Sequence, residues 1–374
     1  MNKSAQLDPY LNQKKIEELE SIRGLAALLI VFYHFPKWSS LLDVGIINNG
    51  YLMVDLFFVL SGFVIYSAYA NKISSSKDLL RFQFLRFGRL YPVHLTFFLV
   101  LLLIEIAKYF AQIKFGLISP NTQPFRENNP MAMIEQIFLI QAIGPNENAL
   151  SFNGPSWSIS VEFYTYLIFG ISILLLNKIK DVWFSVIAVA AVVLVATQKT
   201  FGLELLLRCL AGFFIGCLTA VVIDKFKINV SRYISLLVFA SIILFLQFKP
   251  SHHYDLVIYL LTAVLIASIV LSRKGYLNNL LNLKALTWLG SISYALYMSH
   301  TAIIWFINQF LRFFLKKPEI MSKGKSISSL NEVETVITFL VATSIILIVS
   351  AIVYNFIEKP MRAKSRQFAF SKLS

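Results

Sequence analysis

The chain is short of charge, and of negative charge above all. Of its 374 residues 14% are charged, with 20 Asp and Glu against 34 Lys and Arg. A soluble domain carries about 25% charged residues, so this scarcity excludes an ordinary soluble globular fold. Cysteine is nearly absent. Cys209 and Cys217 lie two helical turns apart in one apolar run and cannot bridge each other, so there is no disulfide framework and both read as packing residues. No metal-ligand cluster, phosphate-binding loop or dinucleotide fingerprint occurs, which removes the common nucleotide and metalloenzyme classes. A cleavable leader is missing too: residues 1–21 are polar, with Asp8, Glu17, Glu18 and Glu20, and no small-residue cleavage site follows the first apolar run.

What is present is hydrocarbon. Hydrophobic residues make up 57% of the chain, and the mean hydropathy is +0.68. Apolar runs lie near 22–37, 50–70, 90–111, 157–177, 182–198, 203–223, 233–249, 254–272, 286–311 and 334–357, many of them near the roughly 20 residues that span a bilayer. A shorter amphipathic piece, 131–143, contains Glu135, Gln136 and Gln141. Counted as a span, it would put the basic tail (Lys359, Arg362, Lys364, Arg366, Lys372) outside, against the positive-inside rule. Counted as interfacial or re-entrant, it leaves an all-α membrane protein of about ten transmembrane helices with both termini cytosolic. Residues 1–21 are then a cytosolic tail, 22–360 the membrane domain with an extracytoplasmic segment at 112–156, and 361–374 a cytosolic basic tail. The loop 71–89 and those holding Lys178/Lys180, Lys225/Lys227/Arg232 and Arg273/Lys274/Lys284 become cytosolic, which accounts for the net charge of +14 without nucleic acid. One outer loop, 312–333, breaks the pattern with Arg312, Lys316, Lys317, Lys323 and Lys325.

Ionisable residues within apolar runs are costly and mark function by default. Arg23 and His34 share the first run. Eleven residues of helix bring them to within about 20° on one face, roughly 16 Å apart along the axis. Interfacial snorkelling explains each alone but not the shared stripe. His34, Asp55, Glu162, Arg208 and His300 come from five runs and are expected at similar depth in the outer half of the membrane, facing one another or a cavity. Asp55 is a plausible partner for the His34 imidazole, by the logic of a catalytic triad, or else an interhelical hydrogen-bonding group. Arg86 and Arg89, three apart, suit a phosphate or an anionic lipid surface. Ser158 and Glu162 share a face just after a turn, with Trp157 placed either to stack on a sugar ring or to sit at the interface. Ser293, Tyr297 and His300 form a polar stripe within about 60°, fit to line a cavity or to bond a neighbouring helix. Gly212 and Gly216 read as a small-residue helix contact, and His252 and His253 as solvated loop residues.

Six segments occur in order: Arg23 with His34, Gly50–Phe63 around Asp55, Arg86-Phe-Gly-Arg89, Trp157–Glu162, Ser293–His300, and Glu358-Lys-Pro360. Together they make the chain resemble the membrane-bound acyltransferase family 3. The resemblance implies ten membrane helices in the inner membrane of a bacterium. It also implies acetyl-CoA or another acyl-CoA as donor substrate, with no permanently bound cofactor or metal. The acceptor would be a hydroxyl of a surface carbohydrate such as lipopolysaccharide O-antigen, exopolysaccharide or peptidoglycan. On that reading Arg23, Arg86 and Arg89 hold the donor phosphates. His34, oriented by Asp55 or Glu162, activates the hydroxyl or is transiently acylated. Trp157, Ser158, Tyr297 and His300 meet the acceptor. The chain ends about 14 residues after Pro360, as in relatives without an added esterase-like domain. The rival class is a proton-coupled transporter or flippase, which would use the same buried charges, although no inverted repeat or paired broken helix is visible.

Overall fold

A computed structural model describes residues 16–117, 121–143, 147–226, 230–272, 275–322 and 324–372. Asp8, Lys227, Arg273, Lys274 and Lys323, used above, lie outside the described residues. The long helices are α1 (Glu17–His34), α2 (Met53–Tyr69), α3 (Ser76–Phe115), the shorter α4 (Pro130–Phe138), α5 (Trp157–Leu176), α6 (Lys180–Ala196), α7 (Glu204–Lys225), α8 (Ile234–Phe248), α9 (Val257–Leu271), α10 (Ser293–Phe313), α11 (Glu332–Val353) and α12 (Lys359–Lys372). A two-stranded antiparallel hairpin, β1 (Glu319–Ser322) and β2 (Lys325–Ser328), joins α10 to α11. All ten apolar runs are helical. Among the described residues six helical stretches are long and apolar enough to cross a membrane: Gly50–Tyr69, Ser76–Phe115, Gly154–Leu176, Glu204–Lys225, His252–Leu271 and Glu332–Ser371.

The centre of the bundle is the seam between α2 and α7. A Cβ on Gly62 would lie 1.8 Å from the Phe213 carbonyl oxygen, and one on Gly216 2.0 Å from that of Val59. The two backbones therefore touch, as small-residue membrane helix contacts do. The cysteines pack at this seam: the Cys217 thiol donates to the Gly62 carbonyl (3.5 Å) and the Thr165 hydroxyl to Cys209 Sγ (3.3 Å). Beside it Phe169, Phe184, Phe213 and Phe214 are fully buried; Phe169 stacks on Phe184, which tilts against Phe214, and Phe214 meets Phe213 edge to face.

Two segments depart from the sequence reading. Residues 76–89, taken as loop, are the first third of a continuous 40-residue α3, roughly 60 Å long and about twice a bilayer core. Ser75 caps it, its hydroxyl accepting from the Asp78 amide while the Asp78 carboxylate accepts from Ser74 and Ser75. Pro92 is tolerated inside it, as in other membrane helices where neighbours satisfy the freed carbonyl. Most of the stretch 361–374, taken as a tail, belongs to α12 (Lys359–Lys372), which packs back on α3 through Phe84–Phe368 and Arg81 over Phe370. Two of the basic residues of the 312–333 loop are ion-paired, Arg312 with Glu319 (2.6 Å) and Lys317 with Glu334 at the start of α11 (2.6 Å).

Beyond α4 the chain turns into the protein. Gln136 and Gln141 are fully buried. Gln136 donates to the Ser151 carbonyl and accepts from the Ser156 hydroxyl, and Gln141 donates to the Ser156 carbonyl. Asn153 donates to the Met298 carbonyl and accepts from Thr301. Irregular backbone at this depth is tolerated because protein groups satisfy it.

The seam leaves no room for a side chain at Gly216. Gly216→Val should lower stability by about 3 kcal/mol or more, read as a lowered unfolding temperature in detergent, whereas Gly154→Ala, with open space around it, should unfold close to the wild-type temperature.

Candidate functional site

Arg23 and His34 lie on the stripe that helical spacing places together, and each opens on a cavity. His34, the last residue of α1, lines a vestibule of about 380 Å³ with Asn308, Arg312 and Lys325. Its Nδ1–H donates to the Ile30 carbonyl at 2.9 Å, so in the neutral ring Nε2 carries the lone pair. The ring faces His300 at 4.8 Å between centroids. His300 is fully buried; its Nδ1–H donates to the Leu296 carbonyl (3.3 Å), and its Nε2 has no partner among the described residues. One turn back on α10, Tyr297 lies 6.0 Å from His300, donates to the Pro155 carbonyl (2.7 Å) and pairs with the Ser158 hydroxyl (2.8 Å).

Tyr297 and Ser158 also border a second cavity, of about 70 Å³, shared with Arg23, Arg89, Glu162 and Tyr166. A row of polar side chains, His34, His300, Tyr297 and Ser158, thus runs from the vestibule to a small cavity that two arginines line. Arg23 itself pairs with Glu20 at 3.4 Å.

The structure overturns four of the placements expected from sequence. Asp55 is not the partner of His34. It is 2% exposed and held by Arg208 through two bonds (Nε–Oδ1 3.2 Å, Nη2–Oδ2 2.7 Å) and by the Tyr259 hydroxyl (2.9 Å). The forked guanidinium satisfies both carboxylate oxygens, which a histidine cannot do. Glu162 is not level with His34 either. It accepts from Ser61 (2.6 Å) and Tyr166 (2.5 Å) on the side of Arg23 and Arg89. Its depth was misjudged because α5 starts among buried residues, Ser151, Asn153, Pro155 and Ser156, rather than at a surface. Trp157 stacks on the Arg208 guanidinium (5.3 Å) and against Phe58, away from the histidines. Arg86 donates to the Tyr69 hydroxyl (3.0 Å) and lies over the Tyr69, Phe82 and Tyr166 rings, so only Arg89 of that pair borders the cavity.

Two partners went unassigned from sequence. Arg208 was noticed only for its depth, and nothing in one sequence says which carboxylate it reaches. Tyr166 lies one turn after Glu162, a spacing that could have revealed it. Among the described residues no group of three or more His, Cys, Asp or Glu is placed to hold a metal ion.

A histidine pair joined through Tyr297 and Ser158 to an arginine-lined cavity is the arrangement of this chain's site, and comparison of sequences assigns its class. The model of the acyltransferase domain family matches residues 16–355; the chain belongs to that family, and with its apolar helices it is a multi-pass membrane protein. Among curated proteins it is similar to the acyltransferase MdmB of Streptomyces mycarofaciens (30% identity, covering 48% of this chain and 45% of that one). It is also similar to the peptidoglycan O-acetyltransferase OatA of Listeria monocytogenes (23%, covering 78% and 50%) and the O-acetyltransferase OatA of Staphylococcus aureus (26%, covering 97% and 60%). The chain spans about half the length of the curated relatives it matches. No solved structure matches it significantly.

The Asp55–Arg208 pair is a buried charge pair, and removing one partner strands the other. Asp55→Asn and Arg208→Ala should each cost about 3–5 kcal/mol. The double variant should cost clearly less than the two added together, read by denaturation in detergent as a double-mutant cycle. Additive losses would mean the two groups are not coupled.

Proposed function

We propose that this protein is an O-acyltransferase of a bacterial inner membrane, moving an acetyl group from acetyl-CoA in the cytosol to a hydroxyl of a cell-surface carbohydrate. The observation that carries this reading is the row from His34 through His300 and Tyr297 to the cavity with Arg23 and Arg89. In the proposed orientation ten helices cross the bilayer and both termini are cytosolic. This agrees with the arginine-rich start of α3 and the basic α12 lying together at the Arg23 end, and with the ion-paired hairpin at the other. The family membership and the relatives named for O-acetyl transfer support the reaction class; one of those relatives is named for peptidoglycan, which adds that polymer to the candidate acceptors.

In this scheme Arg89 and Arg23 bind the phosphates of the donor at the cytosolic end. Arg86, fixed on Tyr69 and one turn behind Arg89, adds positive charge without direct contact. The thin acyl-pantetheine arm reaches past Tyr297 toward His34. The acceptor enters the vestibule from outside. His34 Nε2 takes the proton of its hydroxyl as that oxygen attacks the thioester carbon. The new C–O bond forms, the C–S bond breaks, and the thiolate of CoA leaves with the proton. His300 Nε2, with its hydrogen-bonding capacity unspent, sits against the same ring and steadies the imidazole as its charge changes. Glu162, paired to Ser61 and Tyr166, shapes the donor cavity instead of orienting the base.

With labelled acetyl-CoA and the protein in proteoliposomes, His34→Ala should lower acyl transfer to surface carbohydrate by about 10²–10⁴-fold, the usual contribution of a general base, at unchanged expression. Transfer that persists in this variant sinks the scheme. Movement of the carbohydrate across the membrane without acylation would favour a carrier instead. Arg89→Ala should raise the KM for acetyl-CoA by about ten- to a hundredfold while kcat changes little. The lost charged hydrogen bonds are worth about 1.5–3 kcal/mol.

A further inference from the structure

The Asp55–Arg208 cluster takes no part in the chemistry assigned to His34, yet it borders another cavity at the same end of the molecule. This one measures about 680 Å³ and is walled by Tyr33, Tyr51, His252, His253 and Tyr259 together with the ion pair. Its polar groups are held in place. The Tyr51 hydroxyl donates to Asp255 (2.8 Å) and accepts from Lys249 (2.8 Å), and Lys249 is itself ion-paired to Asp255. Such fixed donors and acceptors among aromatic faces make a built recess rather than a gap between helices.

Its position relative to the reaction centre is the informative feature. Tyr33 and His34 are consecutive, and the helix turns successive side chains about 100° apart. Tyr33 therefore faces this cavity and His34 faces the vestibule. Their rings meet edge to face at 5.0 Å, so one pair of rings is the ridge between two recesses. Both volumes, 680 and 380 Å³, fall in the range of about 300–1,000 Å³ typical of ligand sites. Tyr33 is 37% exposed on the ridge, an open aromatic face of the kind on which the C–H side of a sugar ring stacks. The Arg208 guanidinium and the His252 imidazole supply partners for ring hydroxyls.

We propose that the outer face binds a chain of sugars lying across this ridge, with the acylated unit over His34 and its neighbours in the recesses on either side. This deepens the acyltransferase reading and rests on it. The acceptor is then an oligo- or polysaccharide modified at an internal unit, and a single sugar engages only part of the site. Asp55 and Arg208 are positioning residues that hold the floor of the subsite, through which Trp157 and Tyr259 are also fixed.

The test uses the full-length protein in proteoliposomes with labelled acetyl-CoA. The acceptors are fragments of the producing cell's own surface glycan, graded by length from one sugar upward. The kcat/KM should rise about tenfold or more from the shortest to the longest fragment. Thr200→Trp, in the loop between α6 and α7, and His253→Trp, at an exposed loop position on the opposite rim, should each pull the long-to-short ratio back toward one. The short fragment reports that the variants are folded. Equal use of short and long fragments by the wild type, or a ratio that neither variant changes, overturns the extended subsite and leaves the acyltransferase reading standing. No transfer at any length, with no His34-dependent release of CoA, overturns both.

Discussion

The direct backbone contact between α2 and α7 is the constraint on which the rest of the site depends. With hydrocarbon outside, there is no hydrophobic gain in bringing two apolar helices together; close packing and hydrogen bonding must do it. Gly62 and Gly216 allow that approach, and the side chains of α2 are then sorted by it. Toward one end Asp55 meets Arg208 across the seam. Next to Gly62, Ser61 reaches Glu162 on α5, and one turn further Tyr66 bonds Asp181 of α6. Three helices are thus tied to α2 by polar bonds whose geometry exists only because the two backbones touch.

This sorting also sets the histidine at the end of α1, to which the proposed scheme gives the chemistry, apart from the nearby carboxylates. Three of the buried or half-buried acids have partners: Asp55 has Arg208 and Tyr259, Glu162 has Ser61 and Tyr166, and Glu358 has Arg362. The histidines are treated differently. Each spends Nδ1 on the carbonyl four residues back in its own helix, which fixes the tautomer and leaves the second nitrogen for other work. A buried acid with two strong donors is an anchor; a histidine with one nitrogen in reserve is what the proposed scheme uses as its reagent.

Much of this was legible from the residues alone. Periodicity and apolar length picked out ten apolar runs that are all helical among the described residues, and the spacing of Arg23 and His34 placed both on the cavity-facing stripe. Burial of charge pointed correctly to Asp55, Glu162, Arg208 and His300 as residues with assigned neighbours. Which neighbour each one found was not legible, because a helix wheel gives direction and depth but not which helix stands opposite. Asp55 had two candidates at similar depth, His34 and Arg208, and the forked guanidinium takes it. The depth of Glu162 failed for a different reason: the residues just before α5, 151–156, carry no helical periodicity, so the sequence carried no measure of how far in α5 begins. The helical start of α3 was readable, since Ser75 followed three residues later by Asp78 is a capping signal, but arginines spaced among phenylalanines drew it toward a loop assignment.

The inward segment between α4 and α5 has a consequence for how the protein is made. Asn153 is bonded to Met298 and Thr301, 145 and 148 residues further along the chain. While the ribosome is still adding α6 to α9, these amide groups have no protein partner. A polar side chain without partners is costly to bury in an apolar surrounding. Arrival of α10 supplies both the partners of Asn153 and the histidine that meets His34. On the proposed reading, the site is therefore completed late in biosynthesis.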